Sequence, residues 1–237
     1  MMNSIELDRA FERLLSYDLG SSRAGLLAIE EVIRSVGKDA AGREKLETRL
    51  LDAIPSARSV AAREFIFNKL AWIGGAGSVD ALAAFLGDAQ LADAARNTLE
   101  ALPSRETARA IRDRLAKLQG KLLAGAVGSL GALRDPDSVP ALRGLLDDPD
   151  NLVAEAAAAA LGRIGTPRAG QALLRRVRRT GVDGLAAVAH ACLACAERLA
   201  SGGDQALAKR LWRALAREGL PAPVRAAARR RLEGASS

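Results

Sequence analysis

The chain is predicted to be all-α, an α-solenoid of stacked antiparallel helix pairs. Three observations lead there. Apolar residues make up 49% of its 237 positions, yet only seven are aromatic. Alanine and leucine supply most of the rest, and these are the residues that lose least on entering a helix. Few segments show the period-two alternation of Val, Ile and Thr that marks a strand. Finally, a leucine closing a helix recurs at Leu70, Leu99, Leu130 and Leu161, at spacings of 29, 31 and 31 residues. A period of that length means a repeat array.

The elements follow in order. Amphipathic helices are expected over 4–16, 22–36 and 39–54. Helix pairs then run over 59–88, 91–118, 120–147 and 151–180, followed by a longer pair over 183–218 and a final helix over 222–233. The whole of 1–237 reads as a single solenoid. Residues 1–58 cap its start, 59–218 hold the pairs, and 219–237 form a C-terminal capping helix and tail.

Each repeat leucine is followed by a break: Gly74 to Gly77, Pro103 with Ser104, Asp135 with Pro136, and Gly165 with Thr166 and Pro167. Ser78, Ser104, Asp135 and Thr166 are the expected N-caps, because their side-chain oxygens can accept backbone N–H groups left unpaired at a helix start. Pro136 and Pro167 fall in the first turn, where a missing N–H costs nothing. Val139, Leu142, Leu145 and Leu146 keep the three-four spacing of one buried face, as do Ala169, Ala172, Leu173 and Val177. Two short helices cannot bury such faces alone, so neighbouring pairs must stack. Gly131 and Gly162 each follow a repeat leucine, and close helix approach explains them, since a mid-helix glycine otherwise costs about 1 kcal/mol.

The units "AGAVGSLGALRDPDSVPALRGLLDDPD" and "VAEAAAAALGRIGTPRAGQALLRRV" resemble HEAT repeats of the short bacterial type also seen in phycobilisome-lyase-like proteins. Shared features are an alanine-rich first helix, Leu-Gly-x-aliphatic, an Asp-Pro or Thr-Pro turn, then Ala-Leu-x-x-Leu. "LAWIGGAGSVDALAAFLGD" follows the pattern with Ala71 in place of the glycine, and "LADAARNTLEALPSRETARAI" follows it loosely. The resemblance spans roughly 59–180 and implies a HEAT-like superhelix that binds partners along a curved face.

At the N-terminus, Glu6, Asp8, Arg9, Glu12 and Arg13 interrupt any apolar stretch that could serve as a signal peptide, and nowhere do eighteen apolar residues run unbroken. With two cysteines and no disulfide framework, a soluble cytoplasmic protein is expected. The formal charge of +7 is uneven: residues 1–118 carry 17 basic and 17 acidic side chains, 119–162 carry 3 and 6, and 163–237 carry 15 and 5, a local +10.

Chemistry is sparse. His190, Cys192 and Cys195 lie within six residues, but a structural zinc site needs four ligands and the chain has no further His or Cys. On a helix 192 and 195 share a face and 190 points away, so small-residue packing is expected ahead of a redox pair or a metal site. "GGAGSV" at 74–79 lacks the preceding strand and following lysine of a phosphate-binding loop. No catalytic residue, cofactor or metal is therefore assigned, and no enzyme is expected.

The basic clusters are the strongest functional signal. Arg175, Arg178 and Arg179 form one helical stripe, and Arg210, Arg213 and Arg217 form another one unit later. Arg225, Arg229, Arg230 and Arg231 add charge to the cap. Side by side, such stripes could hold an acidic segment of a protein partner or, as the alternative, a phosphate backbone, as in HEAT-like DNA glycosylases. Simple solvation, or pairing with negative helix C-termini, is the plainer account. Trp72 occupies the position of Ala132 and Arg163 in the matching units. Coverage by the N-terminal helices is expected for it, whereas an exposed Trp72 would be an interface anchor. Trp212 is expected in the core of the last pair.

Overall fold

A computed structural model describes residues 4–102, 104–179 and 185–234. Among the described residues there are fourteen α-helices and no strand. No helix among them is long and apolar enough to cross a membrane. The fold is all-α, with HEAT-like stacking of helix pairs. Its chain divides into two compact units, 1–114 and 115–237.

In the first unit, α1 (Ser4–Leu15) lies against α2 (Ala24–Val36). Three pairs follow: α2 with α3 (Ala40–Ala53), α4 (Val60–Ile73) with α5 (Ala76–Ala83), and α6 (Ala92–Glu100) with α7 (Arg105–Arg112). First helices pack on first helices, α2 on α4 on α6, and second on second, α3 on α5 on α7. Phe67 and Phe85 meet edge to face at 5.1 Å in its core, a favoured arrangement for aromatic rings.

The second unit repeats the scheme. Its first helices, α8 (Gly120–Ala132), α10 (Asn151–Ile164) and α12 (Leu185–Ser201), pack one on the next, as do its second helices, α9 (Val139–Leu145), α11 (Pro167–Arg179) and α13 (Gln205–Leu215), and α14 (Ala222–Gly234) packs on α12 and α13. Residues 183 and 184, placed by the sequence at the start of the last pair, and Pro103, placed in a break, lie outside the described residues. Leu70, Leu99, Leu130 and Leu161 are all wholly buried, each in the last turn of a first helix.

Side-chain caps mark five of the helix starts among the described residues. Ser104 accepts from the Thr107 N–H at 3.0 Å and Thr166 from the Ala169 N–H at 3.3 Å, as expected of N-caps. Ser59, Asp150 and Asp204 do the same for α4, α10 and α13. Two expectations are corrected. Ser78 does not cap α5, which begins two residues earlier with Gly75 as its N-cap. Glu47 reaches across from α3 instead and accepts from both the Gly75 N–H (2.8 Å) and the Ser78 hydroxyl (2.6 Å). A carboxylate at a helix N-terminus binds better than a serine hydroxyl, and it leaves Ser78 free to be buried inside the helix. Asp135 makes no capping bond to the backbone ahead of the short turn before α9; its carboxylate accepts from the Ser138 hydroxyl instead.

The first helices of the second unit approach backbone to backbone. A Cβ on Gly131 would stand 2.6 Å from Ala160 Cα, and one on Gly162 would stand 2.7 Å from the Ala191 carbonyl oxygen. The glycines therefore hold their places through contact. Gly128, one helical turn before the first of them, faces open space.

These two environments predict opposite effects of one change. Gly162→Ala overpacks a backbone contact and should destabilise the protein by roughly 1–3 kcal/mol. Gly128→Ala should stabilise it by up to about 1 kcal/mol through helix propensity. Thermal denaturation of the two variants checks the pair, and equal shifts would show that the contact at Gly162 does not constrain the stack.

Candidate interaction surface

On α11, Arg168, Gln171, Arg175 and Arg178 recur at helical spacing and are exposed. Arg210 and Arg213 on α13, and Arg217 two residues past its end, are likewise exposed at three- and four-residue spacing. The stack brings these stripes together unevenly. Arg178 joins Arg210, Arg213, Ala214 and Arg217 around a cleft of about 390 Å³ between α11 and α13. Arg175 and Arg179 look the other way, towards α9, where two adjoining hollows of about 330 and 230 Å³ share Arg143 and Arg175. The sequence reading placed Arg175, Arg178 and Arg179 on one stripe and overlooked Arg143 and Arg168. Neither of those belongs to an arginine run, and only the spacing Arg168, Gln171, Arg175 could have signalled the second.

The arginines divide by role. Arg217 donates from Nη2 to the Val177 carbonyl near the C-terminus of α11. Arg176 does the equivalent one unit earlier, its Nε lying 3.1 Å from the Leu146 carbonyl that ends α9 and 3.2 Å from an Asp147 carboxylate oxygen. Arg229 reaches the Ala216 carbonyl at the end of α13, at 3.4 Å. Each satisfies an orphan carbonyl and opposes the negative end of a helix dipole. Arg231 pairs with Glu197 at 2.7 Å. By contrast, Arg175, Arg178, Arg179, Arg210 and Arg213 have no hydrogen-bond or ion-pair partner among the described residues. Five like charges so placed raise the local potential and attract anions.

Trp72 corrects an expectation. The N-terminal helices do not cover it: it is 74% exposed, at the mouth of a pocket of about 270 Å³ lined by Glu30, Ile33, Arg34 and Lys69. Ala132 and Arg163, its counterparts in later units, are exposed too, so the repeat places this position outward. Phe65, seven residues earlier, is buried, with Lys69 Nζ 4.8 Å from its ring centre. Lys69 also holds Glu30 at 2.6 Å, and this hydrogen bond lowers the Glu30 pKa below the ordinary carboxylate value. Trp212, as expected, is core, at 3% exposure.

His190 is exposed, whereas Cys192 and Cys195 are buried and not disulfide-bonded. Burial pushes both thiols up, Cys195 to about 12, because a thiolate in apolar surroundings loses its hydration. Among the described residues, no three His, Cys, Asp or Glu side chains are grouped to hold a metal ion.

Residues 108–194, from within α7 to within α12, match the family of HEAT repeats. The stretch contains both glycine contacts, at Gly131 and Gly162. No curated protein matches the chain.

Two predictions arise here. Arg217→Ala removes a cap and should cost about 0.5–1.5 kcal/mol of stability, while Arg213→Ala, which breaks no bond, should leave the melting temperature unchanged; calorimetry of both variants tests the division of roles. The native thiols should resist a maleimide at neutral pH and react fully in denaturant. Fast native-state labelling would show that the thiolates form well below the pH their burial implies.

Proposed function

We propose that the chain is a non-catalytic interaction scaffold of the short, phycobilisome-lyase-like HEAT type, working in the bacterial cytoplasm. Its docking surface is the outward face of α9, α11 and α13. One observation carries this reading: five arginines crowd that face without a partner among the described residues, while Arg176 and Arg217 beside them are engaged in closing helix ends. Structural arginines alone would need only the second kind. The unpartnered set is left to meet an external anion. A non-catalytic role agrees with thiols held protonated at neutral pH, since the thiolate is the nucleophile.

A second reading, phosphate-backbone binding through the same arginines, is favoured by the local +10 of residues 163–237. It would show as affinity that falls steeply with salt and ignores base sequence.

Placement of a photo-activated cross-linker tests the surface. At position 171 or 213, both exposed on second helices, it should capture a protein in cells; at position 155 or 159, exposed on α10, it should not. The Arg175→Glu, Arg178→Glu, Arg179→Glu variant should lose that product. Equal capture from both faces, or none from 171 and 213, would remove this reading.

A further inference from the structure

We infer, resting on the scaffold reading above, that the second-helix face binds an extended acidic peptide that crosses α11 and alternates carboxylates with aliphatic side chains. Two clefts flank that helix. The one towards α9 has Val139 and Pro140 among its lining, with Arg143, Arg168, Gln171 and Arg175 beside them. The one towards α13 is ringed by Arg178, Arg210 and Arg213 around Ala214. Each cleft thus combines guanidinium groups with an apolar patch.

That combination selects among anions. Side-chain carboxylates pair with guanidinium groups in fixed two-pronged geometry, and an aliphatic neighbour can cover Pro140, which is exposed, and the edge of Val139. Gln171, on the same helical stripe, carries an amide able both to donate to and to accept from a peptide backbone. A phosphodiester backbone can take the same two-pronged geometry from arginine, but it has no aliphatic side chain to cover the apolar lining. Its bases stack on aromatic side chains, and residues 115–237 contain one aromatic, Trp212, which is buried in the core. Asp147 also lies in the groove beside Arg143 and Arg179. Its carboxylate is held by Arg176, which leaves Arg143, Arg175 and Arg179 of that groove to meet a ligand.

Fluorescence anisotropy at low ionic strength tests the inference on the full chain. The probes are a dye-labelled synthetic peptide of alternating Glu and Leu, a matched peptide of alternating Glu and Ser, and single- and double-stranded DNA of similar charge. The Glu–Leu peptide should bind more tightly than any of the others. Arg175→Glu with Arg178→Glu should weaken it roughly tenfold, two exposed pairs turned to repulsion. Lys121→Glu with Arg230→Glu changes the net charge equally, lies off the clefts and should have little effect. All four residues are exposed, and none has a partner among the described residues, so both variants should keep the wild-type melting temperature. DNA binding at least as tightly as the Glu–Leu peptide, equal loss in the two variants, or no peptide binding would each overturn the proposal. A cross-linked partner whose captured segment is not acidic would leave the scaffold standing and remove only this inference. Peptide binding without any cellular cross-link would do the reverse.

Discussion

Backbone contact between successive first helices governs the second unit. Gly131 against Ala160 and Gly162 against Ala191 are the same event one repeat apart, each pairing a residue with one 29 positions later. Between the two, the chain must complete a first helix, turn, run back along a second helix and return, and the period of 31 residues is what that circuit takes. Where backbones touch, there is no side chain to vary. The first-helix layer is therefore rigid and chemically plain, lined with alanine, glycine and leucine. Most of the unit's helical arginines fall to the second helices, which leave clefts between them.

This division explains why so basic a segment is also well packed. Arginine serves twice there, in two distinct geometries. Arg176, Arg217 and Arg229 lay their guanidinium groups on carbonyls at helix ends, where an ammonium would offer one compact charge in place of a planar fork. Arg175, Arg178, Arg210 and Arg213 extend into solvent from the same helices. A count of charges, +10 over residues 163–237, merges two populations that the fold separates.

Most of the architecture was legible in the residues because it depends on local rules. Leu70, Leu99, Leu130 and Leu161 are buried alike, Ser104 and Thr166 cap as their chemistry directs, and the two mid-helix glycines sit where a Cβ would collide. What escaped depends on partners distant in sequence. Ser78 lost its capping role to Glu47, 31 residues away on another helix. Nothing near Trp72 in the chain says that it stands exposed while Phe65, seven residues earlier on the same helix, is buried. The arginines were the hardest case: Arg213 and Arg217 share one stripe, and only the position of the Val177 carbonyl distinguishes the one that is anchored.

The reach of those three anchoring arginines always has the same direction, from a later element back to the close of an earlier one: α11 to α9, the end of α13 to α11, α14 to α13. The array is consequently lapped like roof tiles, each course pinning the lower edge of the one laid before it. Such an arrangement has a grain. A break introduced between courses leaves bare carbonyls on its upstream side and unpaired guanidinium groups on its downstream side.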